Sequence, residues 1–122
     1  MTVRWGFLGA GFVASRGMAP AVHSARHATL FGVASRDAVR SAQLEPEKVY
    51  DSYEELLGDP QVEAVYISLA NSQHLEWVVK SLRAGKHVLC EKPLGLNAQE
   101  VRTMVATASE CGVMLVEAVW AQ

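Results

Sequence analysis

An α/β domain with a doubly wound parallel sheet is the fold this sequence predicts, and three observations predict it. Short β-rich runs alternate with helical periodicities along the whole chain, which implies βαβ units and a parallel sheet covered on both faces. A glycine-rich turn closes the first β-rich run and opens the first helical one. Half of the 122 residues are hydrophobic, enough to bury the core of one domain with little room for a second.

Val3 to Leu8 reads as the first strand, ending at Gly9. From Ala14 an apolar stripe recurs at Met18, Ala21, Val22 and Ala25 with helical spacing. Gly17 and Pro20 interrupt it, so a kinked or two-part helix is expected. Thr29 to Ala34 is the second strand, and a short polar helix over Val39 to Leu44 stops before Pro46. Lys48-Val49-Tyr50 is a brief third strand. Ser52-Tyr53-Glu54-Glu55 forms a capping box, opening a helix that carries Leu56 and Leu57 and ends near Gly58.

Val62 to Leu69, rich in β-branched and aromatic residues, is the fourth strand. Leu75, Val78, Val79 and Leu82 then mark one face of a helix, and Gly85 stands where a left-handed terminus needs glycine. His87 to Cys90 is the fifth strand. Asn97-Ala98-Gln99-Glu100 is a second capping box, followed by an expected buried face of Val101, Met104, Val105 and Ala108. Val113 to Val116 is the sixth strand. Right-handed crossovers favour the order 3-2-1-4-5-6. Residues 1–122 are expected to form a single dinucleotide-binding domain, with no linker, repeat or low-complexity segment.

Charge and cysteine content exclude several classes. The net charge is −2, from 11 basic and 13 acidic residues, and the basic ones are scattered. That balance offers no footprint for nucleic acid. Cys90 and Cys111 are too few for a metal knuckle and read as reduced core thiols. His23, His27 and His87 have no metal-ligand spacing, so no metal site is expected. The start Met1-Thr2-Val3-Arg4-Trp5-Gly6 shows no signal-peptide pattern. No run approaches the ~18 apolar residues a membrane span needs, so a cytoplasmic protein without a membrane partner is expected.

Gly9-Ala10-Gly11-Phe12-Val13-Ala14 fits G-x-G-x-x-[G/A]. Gly9 permits the tight turn out of the strand, Gly11 lets backbone approach a pyrophosphate, and Ala14 is small enough for helix to pack on strand. The free N–H groups at the helix start favour phosphate. The strand-turn-helix context makes this a dinucleotide-binding, Rossmann-type turn rather than a bare connection. After the second strand comes Ser35-Arg36, with Asp37 one step later, where a carboxylate would select NAD. A hydroxyl and a guanidinium suit a 2′-phosphate, which predicts NADP, with NAD as the alternative. The bland reading is that Arg36 is solvated and Asp37 caps the next helix.

Glu91-Lys92-Pro93 follows the fifth strand, at the edge where ligands of open α/β sheets bind. A lysine there can give a proton or hydrogen bond to a substrate oxygen while hydride moves at its carbon. Glu91 can hold the ammonium, and Pro93 stiffens the turn. By itself the run reads as a surface turn more often than as a site. Ser68 and Ser72 lack a nucleophile elbow or a paired base, which excludes a hydrolase.

The run Ala84-Gly85-Lys86-His87-Val88-Leu89-Cys90-Glu91-Lys92-Pro93-Leu94 resembles the signature of the glucose–fructose oxidoreductase/inositol dehydrogenase family. The glycine turn, Tyr53-Glu54-Glu55-Leu56, Val62 to Ile67, Asn71 and His74 fall in the family's order. Arg4-Trp5-Gly6 and Val116-Glu117-Ala118-Val119-Trp120 look most like its dihydrodiol and xylose dehydrogenase branch, which generally uses NADP. The resemblance implies that Gly9, Gly11, Phe12 and Val13 line the pyrophosphate, and that Ser35 and Arg36 meet the ribose phosphate. It places Leu69, Ala70, Asn71 and His74 along the path from adenine to nicotinamide. It puts Glu91 and Lys92 at the nicotinamide ribose, with Lys92 the catalytic residue reaching a sugar, polyol or diol hydroxyl carbon.

Two departures stand out. Ala70 replaces a proline common in the family, and the family's C-terminal α/β domain is absent from these 122 residues. A fragment is favoured over a naturally short relative, because the sequence stops where the family chain would continue. The isolated chain is therefore expected to bind cofactor without turnover and, with apolar surface uncovered, to form a homo-oligomer. Trp5 and Trp77 read as packing, and Trp120 as packing or a cover over bound cofactor. The competing class is a non-catalytic nucleotide sensor on the same fold; Lys92 favours the enzyme, since a sensor has no need of it.

Overall fold

A computed structural model describes residues 1–118. Six strands alternate with helices: β1 (Val3–Leu8), β2 (Ala28–Ala34), β3 (Lys48–Tyr50), β4 (Ala64–Ile67), β5 (His87–Glu91) and β6 (Leu115–Ala118). The helices are α1 (Ala19–Ser24), α2 (Ala38–Gln43), α3 (Tyr53–Leu57), α4 (His74–Arg83) and α5 (Ala98–Cys111). All strand pairs are parallel, in the order β3-β2-β1-β4-β5-β6, as right-handed crossovers demand. The switch point lies between β1 and β4.

Alternation along the central strands divides the core between the two faces. Phe7 and Tyr66 point to one face, joined by Leu30, Val33, Val22 and Ala14; their rings meet edge-on, centroids 4.9 Å apart. Leu8 and Ile67 point to the other, packed with Leu56, Trp77, Leu82 and Met104.

The expected two-part first helix is present. Ala14–Met18 is a π-helical turn in which the Ala19 N–H donates to the Ala14 carbonyl, and α1 continues with Pro20 in its first turn. Proline costs no hydrogen bond there, because that N–H has no partner inside the helix. Ser52 and Asn97 cap α3 and α5 by accepting the N–H of Glu55 and Glu100. The Glu100 carboxylate accepts from Leu96 N–H at 2.8 Å, one residue before the expected reciprocal donor.

Three expectations shift. The sixth strand begins at Leu115 rather than Val113, because Gly112 adopts φ +67 and Val113 N–H closes the α5 terminus on Ala108. Val105 is 54% exposed, so α5 buries Met104, Thr107 and Ala108 instead. α4 buries His74, Trp77, Val78, Ser81 and Leu82, a stripe rotated from the expected one by two polar members. Both are hydrogen-bonded: Ser81 donates to the Trp77 carbonyl at 2.6 Å, and the His74 ring meets two carbonyls. Trp120 lies outside the described residues. Among the described residues no helix is long and apolar enough to cross a membrane.

Candidate functional site

The carboxyl ends of β1, β2 and β4 converge on a cleft of about 210 Å³. Its floor is the glycine turn. Gly9 holds φ +103, and a Cβ there would lie 2.9 Å from both the carbonyl oxygen and the hydroxyl of Ser68. Glycine is therefore required at this position by the chain's own packing. Gly11 is different: a Cβ there would meet nothing within 4 Å. The fold does not need glycine at Gly11, and the space above it is open to a ligand. Ala14 is fully buried against the core, whereas Phe12 is 73% exposed with the Arg16 guanidinium 5.3 Å from its ring centre. Val13 is exposed beside it.

The β2 side of the cleft is basic. Arg36 and Arg40 both line it, and a second cleft of about 310 Å³ shares Ala10, Gly11 and Arg40 and adds Arg16. The Asp37 carboxylate accepts from Val39 N–H at 2.9 Å and Arg40 N–H at 3.3 Å, so it caps α2. The Ser35 hydroxyl donates to the Asp37 carbonyl at 2.8 Å and lies 2.6 Å from the Ser41 hydroxyl. Tyr53 borders the cleft as well. Burial raises the pKa of its hydroxyl, and the nearby Arg36 charge opposes that shift. Its ring packs edge-on against Trp77 at 4.9 Å.

The loop after β4 supplies Ser68, Leu69, Ala70 and Gln73 to the cleft. The Ser68 hydroxyl is buried with no hydrogen-bond partner. Asn71 is exposed at the start of a 3₁₀ turn, Asn71–Gln73, that feeds α4. His74 is fully buried: Nδ1 lies 2.9 Å from the Pro93 carbonyl and Nε2 3.1 Å from the Leu69 carbonyl. Its ring thus meets the loops, not the cleft space.

Glu91 ends β5, and its carboxylate accepts the Tyr66 hydroxyl. Burial first, then Glu91, pushes the Tyr66 pKa well up, so the phenol stays a donor. Lys92 is exposed and joined to Pro93 by a cis peptide. The thiol of buried Cys90 is pushed up to about 12, by burial foremost and then by Glu91 and Glu117. That matches an inert core thiol.

The structure thus gathers Gly9, Gly11, Ser35, Arg36, Leu69 and Ala70 around one cleft. Glu91 and Lys92 sit at the end of β5. Sequence reasoning missed Arg40, Tyr53 and Gln73 as lining residues. Arg40 stands in the first turn of α2, the helix that follows the Ser35-Arg36 segment, and it lines the same cleft as Arg36.

A parallel doubly wound sheet with a ligand-sized opening over its glycine turn, at the switch point, defines a dinucleotide-binding α/β protein. The chain belongs to the Gfo/Idh/MocA oxidoreductase family with its NAD-binding Rossmann fold, whose pattern matches residues 3–119. It is 44% identical over 128 residues to trans-1,2-dihydrobenzene-1,2-diol dehydrogenase of Mus musculus, aligning 100% of this chain with 38% of that protein. It is 42% identical over 116 residues to 1,5-anhydro-D-fructose reductase of Ensifer adhaerens, aligning 92% of this chain with 34% of that protein. Among solved structures, the 3-ketoreductase KijD10 of Actinomadura kijaniata, in complex with NADP and TDP-benzene, superposes with a TM-score of 0.91 at 33% identity. That match covers 96% of this chain and 37% of KijD10. The chain therefore spans well under half the length of these relatives.

Proposed function

We propose that this chain is the cofactor-binding part of an NADP-preferring dehydrogenase or reductase acting at a CH–OH carbon of a sugar-, polyol- or diol-like substrate. One observation carries the NADP preference: Arg36 and Arg40 flank the cleft beyond β2, while Asp37, the nearby carboxylate, is committed to capping α2. Guanidinium donors fit a 2′-phosphate, and the Oδ1 of Asp37 is already taken by two backbone N–H groups. The NADP of the solved relative supports the same reading.

In this reading Gly9 and Gly11 admit the pyrophosphate to the backbone, with the N–H groups of the first helix facing it. Leu69 and Ala70 border the route toward the nicotinamide, which supplies or accepts the hydride when bound. Glu91, held by Tyr66, fixes the end of β5, and Lys92 hydrogen-bonds the substrate oxygen and moves its proton. Because the relatives are far longer than this chain, the substrate-binding half belongs to residues beyond it. The 122 residues then bind cofactor without turnover. Calorimetric titration with NADP and NAD tests the proposal: tighter binding of NADP is expected, and equal or tighter binding of NAD would overturn it. Sustained oxidation of a sugar or diol by this chain alone would overturn the second part.

Met114, Val116, Val105 and Leu96 are exposed, and through apolar side chains of this kind we expect the chain to self-associate. Light scattering at increasing concentration reads that directly, and a constant monomer mass would refute it.

A further inference from the structure

We propose that His74 is a positioning residue that couples the ligand-lining loop after β4 to the Lys92 segment. The inference rests on the reading of the cleft as a dinucleotide site and deepens it.

The Glu91–Leu94 segment is held at three points by side chains from three elements. Tyr66 of β4 donates its hydroxyl to Glu91. Glu117 of β6 accepts the Leu94 N–H at 2.7 Å. His74, the first residue of α4, reaches the Pro93 carbonyl with Nδ1 at 2.9 Å. Lys92 lies exposed between these anchors. A backbone pinned on both sides fixes where its side chain starts, which is what a group of precise reach requires.

Of the three anchors, His74 alone among the described residues also bonds a residue that lines the cleft. Its Nε2 lies 3.1 Å from the carbonyl of Leu69, and Leu69 borders the cleft with Ala70 and Gln73. That loop is short: Gln73 N–H donates to the Ala70 carbonyl at 2.8 Å and leads directly into α4. The imidazole is planar, rigid and fully buried. A ligand seated against Leu69 and Ala70 therefore bears on the Leu69 carbonyl, the ring transmits the displacement, and the Pro93 carbonyl next to Lys92 responds. The ring's two partners are backbone oxygens, which accept and never donate, so a hydrogen bond to either is given by a ring N–H, and the tautomer decides which nitrogen carries it. Its role is thus to hold two main-chain loops in register.

The test is an amide NMR titration of this chain with NADP, following Gly11 for occupancy and Leu94 for transmission. It is repeated on His74→Asn and His74→Gln. An asparagine amide stands where Nδ1 stood and can keep the Pro93 bond. A glutamine amide stands where Nε2 stood and can keep the Leu69 bond. Each variant therefore breaks one end of the link. In the unmodified chain Gly11 and Leu94 should titrate with one dissociation constant. In both variants Gly11 should still titrate while the Leu94 response is lost. A histidine that served packing alone would lower stability in both variants without silencing Leu94 selectively. A Leu94 response that persists in either folded variant overturns the coupling. So does an unmodified chain in which Gly11 titrates and Leu94 does not; that outcome leaves the dinucleotide reading standing and needs no variant. No Gly11 response in the unmodified chain overturns the dinucleotide reading itself, and the coupling with it.

Discussion

The two edges of the parallel sheet treat charge in opposite ways. At the amino edge Lys86 is 5% exposed, and its ammonium donates to the carbonyls of Asp59 and Val62, each at 2.7 Å. Asp59 in turn accepts the Tyr50 hydroxyl at 2.6 Å and the Gln61 N–H at 2.9 Å, with the Lys48 ammonium 3.9 Å away. Burial lowers the pKa of Lys86 against the pull of Asp59. The Tyr50 hydroxyl, then the Gln61 N–H, hold the Asp59 carboxyl below its ordinary value. At the carboxyl edge Arg36, Arg40 and Lys92 are exposed. Among the described residues none of the three has an ion pair or a side-chain hydrogen bond. Charges matched within the chain hold the strands and loops together. Charges left open sit where a polyanion would be bound, because a charge satisfied internally has less to gain from a ligand.

The largest expected effect breaks the amino edge. Lys86→Ala should cost about 2–4 kcal/mol, because it strands two buried carbonyls. Urea unfolding reads it, and a loss under about 1 kcal/mol would show that water replaces the ammonium at little cost. Next, Arg36→Ala and Arg40→Ala should each weaken NADP binding by about 10- to 100-fold, the equivalent of one lost charge-assisted hydrogen bond. Both should leave folding within about 0.5 kcal/mol of the parent. Lost stability in either would mean that the open charges also serve the fold, and the contrast between the edges would fail.

A smaller effect sharpens the contrast within the glycine turn. Gly9→Ala forces a side chain onto a positive φ and against Ser68, and should destabilise by about 1–3 kcal/mol. Gly11→Ala meets only open space, so it should leave thermal unfolding unchanged while weakening NADP. The smallest effect concerns acid. Because the Asp59 carboxyl is depressed in the folded state, its contribution is complete above its unfolded pKa of about 3.9 and fades as pH falls through the folded value. Asp59→Asn should flatten that part of the stability profile, measured by urea midpoints from pH 6 to pH 2. An unchanged acid slope would show that the carboxyl contributes nothing.

The sequence by itself determined the element order, the sheet topology and the turn that bears the cleft. Strand alternation, caps such as Ser52 and Asn97, and the glycines act over a few residues, so their physics is visible locally. It also marked Arg36 and Lys92, because each follows a strand whose carboxyl end must face the ligand side. Only the tertiary structure decided what depends on partners distant in the chain. His74 joins residues 69 and 93, Tyr66 reaches Glu91 across the sheet, and Lys86 is buried by residues 24 or more positions earlier. The same holds for Gly9 and Gly11, which look alike in the motif. One is demanded by the loop after the neighbouring strand and the other by no contact of its own side-chain position. A pattern in sequence records which residue is allowed at a position, and only the packing around it shows whether the fold or a ligand requires it.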